Sequence, residues 1–364
     1  MKVNLKMLSE SLGLSQTTVS RALNGYTDVA EATRRRVKEA AAAMGYQPDP
    51  LARRLATGRT DTIGMVFPFN ATEFGDHRFG EVVAGLTEGL AKHNMDLSII
   101  PTRPESELET YARMIDSRRV DAFIVGWTQV TDPRIALLQA RGFPFLAYGR
   151  TETRKAYAWF DFDNEAGARM AVERLIALGH RRVAIIHAPL DYNFAAQRFA
   201  GYLAALAAAG IARDDSLVAD ARLSRLAGYD AMRTLLARPD PPTAVLIDNN
   251  LAGVGALRAV GDLTLQPGKD ISLVVYDGVS PDIPLPYQVT WIEQGTGEGT
   301  GRKMAEQVVA VLNGKPLGRI HHLAKPRLVA GETDGPPPAT LPTTVEPAKK
   351  ARPRARKPAV DSLS

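Results

Sequence analysis

Along the first 45 residues, apolar positions recur every three or four places. They predict three short helices, Leu5–Leu12, Gln16–Leu23 and Glu31–Met44. Leu8, Leu12, Val19 and Leu23 would pack the first two together. Asn4 and Ser15 stand where helix-capping side chains belong, and Gly13 where the first helix must stop. The run Tyr46-Gln47-Pro48-Asp49-Pro50 then breaks any helix. The stretch 51–56 after it is too short to be a stable helix alone. From Thr60 the pattern changes to short apolar runs alternating with amphipathic ones. The runs predict strands at Thr62–Phe67, Leu97–Ile100, Ala122–Val125, Pro144–Tyr148, Val183–His187, Thr243–Ile247, Ser272–Tyr276 and Val289–Ile292. Between them lie helical patterns at Glu81–His93, Glu165–Leu178, Ala195–Ala209, Leu251–Val260 and Thr300–Leu312. Such alternation implies an α/β fold of parallel sheets covered on both faces. This length suits two doubly wound subdomains with a cleft between them, and ligands in such folds lie at the carboxyl ends of strands. The reading divides the chain into a helical unit at 1–58, a core at 60–331 and a Pro-, Ala- and Lys/Arg-rich tail at 333–364, expected to be disordered.

Charge sharpens this division. Residues 1–60 carry ten Lys and Arg against five Asp and Glu, residues 335–364 six against two, and the middle 29 against 33. Basic ends on a mildly acidic core suggest a polyanionic partner, with solvated tails as the plainer alternative. The chain has no cysteine, which removes disulfides, thiol chemistry and cysteine zinc sites. His321-His322 is the one histidine pair, and neighbours on a strand point apart, so no metal or cofactor is expected. No apolar run approaches the ~18 residues of a membrane span, and MKVNLKMLSESLG does not resemble a secretory signal. A cytoplasmic protein is expected. A G-x-G-x-x-G after the first strand, a P-loop and a G-x-S-x-G elbow are all missing, so an enzyme is not expected.

The second predicted helix carries the most specific chemistry. With its apolar side packed, Gln16, Thr17, Thr18 and Arg21 are left facing outward. Small polar side chains at the start of such a helix suit base edges in the major groove. An Arg one turn later suits guanine or phosphate.

The motif extends further. Ser15…Thr18-Val19-Ser20-Arg21-Ala22-Leu23-Asn24, then Thr33-Arg34…Val37, then Gly45-Tyr46…Pro48…Ala52-Arg53…Leu55 resembles the headpiece and hinge of the LacI/GalR (lactose-repressor/galactose-repressor) family. Asp163-Asn164…Gly167, Leu178-Gly179-His180-Arg181-Arg182, Arg198…Gly201-Tyr202 and Asp270-Ile271-Ser272…Tyr276-Asp277 extend the resemblance to about residue 331. It implies a homodimeric regulator of transcription on double-stranded DNA with a near-palindromic operator. Gln16 and Thr17 would read bases. Thr18, Ser20, Arg21 and Asn24 would contact phosphate or base, and Tyr46 would pack or touch phosphate. The 51–56 stretch, with Ala52 and Leu55, would be the hinge helix that orders in the minor groove, Leu55 serving as the apolar wedge. Met7, Ser9 and Ala30 depart from the family pattern. Ala30 stands at a helix cap usually held by Ser, a loss of roughly 1 kcal/mol.

The resemblance also implies that the core resembles periplasmic sugar-binding proteins and holds a small effector. Arg198, Asn249, Asp277 and Gln294 are the polar candidates, and Phe162 the aromatic cover. Trp159, Phe79 and Arg150 are further candidates. Charged and amide groups can pair with vicinal hydroxyls, and rings can stack on C–H faces, so a sugar is the expected class, an α-glucoside first. The bare positions also fit strand-end caps and a surface Arg. Asp248 is expected to add a carboxylate near the pocket entrance. The expected function is a repressor of carbohydrate uptake or catabolism genes that its effector releases from DNA. Rivals are a co-repressor response to a non-sugar metabolite, a transport binding protein and an architectural DNA-binding protein.

Overall fold

A computed structural model describes residues 3–24, 26–46, 58–68 and 76–339. The N-terminal unit folds as its pattern predicts, with α1 (Leu5–Leu12), α2 (Gln16–Leu23) and α3 (Glu31–Ala43). The Asn4 side chain accepts from the Met7 N–H at 2.9 Å, and Gly13 ends α1 at φ 63°. Ser15 caps α2 through the Thr18 N–H. Leu8, Leu12, Val19, Ala22, Val29, Val37 and Ala41 form the small core, with Leu23 and Tyr46 against its edge.

The remainder forms two lobes, each a six-stranded sheet with helices on both faces. Lobe 1 contains β1 (Thr62–Pro68), α4 (His77–Ala91), β2 (Asp96–Thr102), α5 (Glu107–Asp116), β3 (Ala122–Val125), α6 (Pro133–Arg141), β4 (Phe145–Tyr148) and β5 (Ala158–Phe162). Lobe 2 contains α7 (Asn164–Ala177), β6 (Val183–His187), α8 (Asn193–Ala208), β7 (Val218–Asp220), α9 (Arg225–Leu236), β8 (Ala244–Ile247), α10 (Asn250–Asp262), β9 (Ser272–Tyr276) and β10 (Thr290–Glu293). The chain then returns to lobe 1 with α11 (Glu298–Leu312) and β11 (His321–Ala324), and ends in lobe 2 with β12 (Arg327–Val329). The sheet orders are β11-β5-β4-β3-β1-β2 and β12-β10-β9-β8-β6-β7. Only β12, against β10, is antiparallel. Continuous runs such as Ala122–Val125 and Ala244–Ile247 are buried along their whole length, as strands covered on both faces must be.

Three sequence expectations change. The last stretch of lobe 1 is built from chain beyond residue 298, which no local pattern announces. The core does not end at 331. Thr333 is fully buried, its hydroxyl donates to the Leu273 carbonyl at 2.9 Å, and Asp334 pairs with Arg174 at 2.8 Å. The tail expected from 333 therefore starts after these residues, and its part beyond 339 lies outside the described residues. The hinge stretch, with Ala52 and Leu55, also lies outside them. His321 and His322 stack on Trp159 and Phe160, at 4.7 and 4.8 Å between ring centroids. Among the described residues no three potential metal ligands cluster, and no helix is long and apolar enough to cross a membrane.

Candidate functional site

Two places gather functional chemistry. On the N-terminal unit, Gln16, Thr17 and Arg21 are exposed on one side of α2, while Thr18, Ser20 and Asn24 are half-buried. The Thr18 hydroxyl lies 2.8 Å from that of Ser15, within the cap itself. Asn24 Nδ2 reaches the Ser20 hydroxyl at 3.5 Å. Arg21 pairs with Asp28 and lies over the Tyr26 ring at 5.2 Å, so its guanidinium is held at the surface in one place. Tyr46 is half-buried against the helical core, the packing role.

The second place is the cleft between the lobes, a cavity of about 140 Å³. Its walls are the carboxyl ends of strands: Trp127 and Thr128 follow β3, Tyr148 ends β4, Phe162 ends β5, Asn249 follows β8, Asp277 follows β9 and Gln294 follows β10. Phe79, Trp127, Tyr148, Phe162 and Phe194 supply rings. The lobes are clasped on both flanks. On one, the Val130 N–H bonds the Asp191 carbonyl and the Asn193 N–H bonds that of Thr128, each at 2.8 Å. On the other, Asn250 Nδ2 donates to Asp76 Oδ1 at 2.7 Å. There Arg78 also donates to the backbone carbonyls of Asp277 and Thr296.

Arg198 is buried in the floor. Its Nε donates to Asn164 Oδ1 at 2.9 Å, and a terminal nitrogen donates to the Asp248 carbonyl. The Tyr276 ring lies 3.9 Å and the Phe194 ring 4.8 Å from its guanidinium carbon. Packing and bonding thus fix its orientation before any ligand arrives. Asp277 sits in the left-handed region at φ 57°, an uncommon conformation for a residue with a side chain, as does Trp127 at φ 45°. Burial pushes the Asp277 carboxyl above the usual range, and the nearby Arg198 and Arg78 pull it part of the way back. Gln294 Nε2 donates to Asp277 Oδ2 at 3.0 Å. Its Oε1 is buried with no partner among the described residues.

Of the sequence-derived candidates, Arg198, Asn249, Asp277, Gln294, Phe162 and Phe79 therefore meet in one cavity. Asn249 also performs the capping role weighed as its alternative. Its Oδ1 accepts from the Ala252 N–H at 2.8 Å, and its Nδ2 donates to Asp248 at 2.7 Å, leaving one N–H for a ligand. Arg150 and Trp159 do not line the cavity. Arg150 is occupied by Asp161 at 2.6 Å and Gln197 at 2.7 Å, with its guanidinium over the Trp159 ring. Asp248 is not at the entrance. It is fully buried beneath the floor, where it accepts from the Ala188 N–H. The sequence reading missed Asp76, Arg78, Trp127, Tyr148, Asp161, Asn164, Phe194 and Asn250. Trp127 and Tyr148 were within reach of the strand-end rule. Arg78 and Asp76 begin a helix, and nothing local announces that they face another lobe.

Comparison with known proteins places this geometry. Residues 10–49 match the bacterial regulatory proteins of the lacI family, and residues 60–323 match the periplasmic binding proteins and sugar binding domain of the LacI family. The HTH-type transcriptional regulator RafR of Escherichia coli is 41% identical over 313 residues, 86% of this chain and 93% of that protein. A solved CelR–cellobiose complex is similar at TM-score 0.70 and 30% identity, over 91% of this chain and all of that one. The lac repressor dimer bound to operator and the anti-inducer ONPF is similar at TM-score 0.76 and 25% identity, over 92% of this chain and all of that one. This chain belongs to the LacI family and is a DNA-binding transcriptional regulator with a helix-turn-helix headpiece and a two-lobed, periplasmic-binding-protein-like core.

Proposed function

We propose that this regulator binds a near-palindromic operator as a cytoplasmic homodimer, and that a neutral sugar in the interlobe cleft releases it from the DNA of carbohydrate-utilisation genes. The observation that carries the effector class is Gln294 Oε1, a buried acceptor in the cavity wall with no donor among the described residues, beside the Asp277 carboxylate. An unmet buried acceptor is costly, and a hydroxyl can donate to it while accepting from a neighbouring donor. Arg198 and the remaining Asn249 N–H supply donors. The rings of Phe79, Trp127, Phe162 and Phe194 supply stacking faces for a sugar's C–H surface. The solved CelR–cellobiose complex is a similar chain with a sugar ligand. On DNA, Gln16 and Thr17 read bases, while Thr18, Ser20, Arg21 and Asn24 support the backbone contacts.

Ligand bridging the lobes holds them in one relative setting, and operator affinity shifts by its differential affinity for the two settings. Calorimetric titration of the full chain with neutral sugars and with purine bases tests the reading. A sugar should bind, and Asp277→Asn should weaken it about tenfold or more. Binding of a purine base, with no response to any sugar, would favour the co-repressor alternative.

A further inference from the structure

We infer that the cleft has a second compartment, and that the effector is a disaccharide or longer glycoside whose second unit lies beside His77, Ser280 and Asp282. This rests on the sugar reading above. Next to the cavity already described lies another of about 190 Å³. Asp76 and Asn250 line both. Their side chains meet at 2.7 Å, so the partition between the two spaces is a single hydrogen bond that also joins lobe to lobe. A ligand hydroxyl placed between them would exchange one protein–protein bond for two protein–ligand bonds, so opening the partition costs little.

The two compartments differ in character. The first has five aromatic rings around it and, at about 10–15 Å³ per water, room for about ten waters, the content of roughly one hexose ring. A second ring needs further space. The second compartment has no Phe, Tyr or Trp in its wall. It offers His77, Ser280, Asp282 and Arg225 over a side formed by Leu251 and Ile283. His77 Nε2 is buried with no partner among the described residues, and Nδ1 lies 3.8 Å from Asp76 Oδ1. Such a wall grips a polar ring by its hydroxyl edges rather than by its face. Asp76 and Asp282 in the same wall oppose a phosphate, although α4, α9 and α10 all begin there.

Calorimetric titration of the full-length protein with glucose, galactose, maltose, cellobiose, melibiose, lactose and glucose 6-phosphate tests this. One disaccharide should bind at least about tenfold more tightly than either of its component monosaccharides. His77→Ala should remove most of that advantage while leaving monosaccharide affinity unchanged. Asp282→Asn, at an exposed position, provides the same readout should the first variant fold poorly. A monosaccharide binding as tightly as the best disaccharide, a sugar phosphate binding best, or variants that weaken both ligand sizes equally would overturn the second compartment and leave the sugar reading intact. No binding by any of these sugars would remove both.

Discussion

Asp277 combines three costs in one residue: a left-handed backbone, a buried carboxylate and an amide neighbour with an unmet acceptor. Its raised pKa fixes the sign of two pH effects. The folded state holds the proton more tightly than the unfolded chain does. This group's contribution to stability is therefore fully present below the ordinary value of about 3.9 and falls as pH rises through the raised value. Effector binding runs the other way, because protonation removes the acceptor a hydroxyl would use. Sugar affinity should decline on acidification from a pH above the ordinary carboxylate range, and Asp277→Asn should flatten that decline; a titration series across pH checks both. Arg198→Ala is a poorer probe, because it strands Asn164 Oδ1 and the Asp248 carbonyl, at about 1–3 kcal/mol each. In the headpiece, Ala30 opens α3 with no side-chain cap. Ala30→Ser should raise headpiece stability by about 1 kcal/mol in denaturant unfolding. The side chains legible in the sequence were those that end strands, since their position and their facing follow from one rule. Arg150 obeyed the same rule and was lost to Asp161 and Gln197, partners that only the folded lobes bring within reach.

Between elements, the closest approach lies where α4 meets α11. A Cβ on Gly85 would fall 2.0 Å from the Glu298 carbonyl oxygen, and one on Gly301 would fall 2.2 Å from that of Val82. Neither glycine can gain a methyl group without the helices parting. Gly301→Ala should destabilise the protein by about 1–3 kcal/mol in urea unfolding. It should also weaken effector binding, because α11 begins just after Gln294 and Thr296. The pairing itself was not legible. The pattern of Thr300–Leu312 predicts a helix with an apolar side, but not that this side belongs to the lobe the chain left at residue 163. Likewise Leu178-Gly179-His180-Arg181-Arg182 was legible as a family marker only. In the structure His180 is fully buried, with Thr243 and Ser272 hydroxyls at 2.9 and 3.0 Å and the Gly335 carbonyl at 2.8 Å, so the motif staples the end of the core.

At the level of the whole molecule, that staple sets where the folded core ends. A chain stopped after residue 339 should match the full chain in thermal unfolding. One stopped after Gly331 loses the bonds of Thr333, Asp334 and Gly335 and should lose about 2–4 kcal/mol. Composition suggested the earlier boundary because Pro and Gly cluster from 335, and a few well-placed hydrogen bonds hold chain that composition alone would leave loose. The two-lobed class, the helical headpiece and the cleft at strand ends were legible, since each follows from period and alternation.

The chain passes between lobes at 162–164, at 293–298 and at 324–327, so the first lobe is not finished until nearly the end of the sequence. Met304, Val308 and Ile320 sit in the same core as Ile63 and Met65. During synthesis at about 5–20 residues per second, the headpiece can fold from contacts close in sequence, while the first strand of the sensor waits on the order of tens of seconds for its last. A ribosome that stalls in the second half of the message would release a reader of DNA without a finished sensor. The order of the segments thus makes full-length translation a condition for sensing.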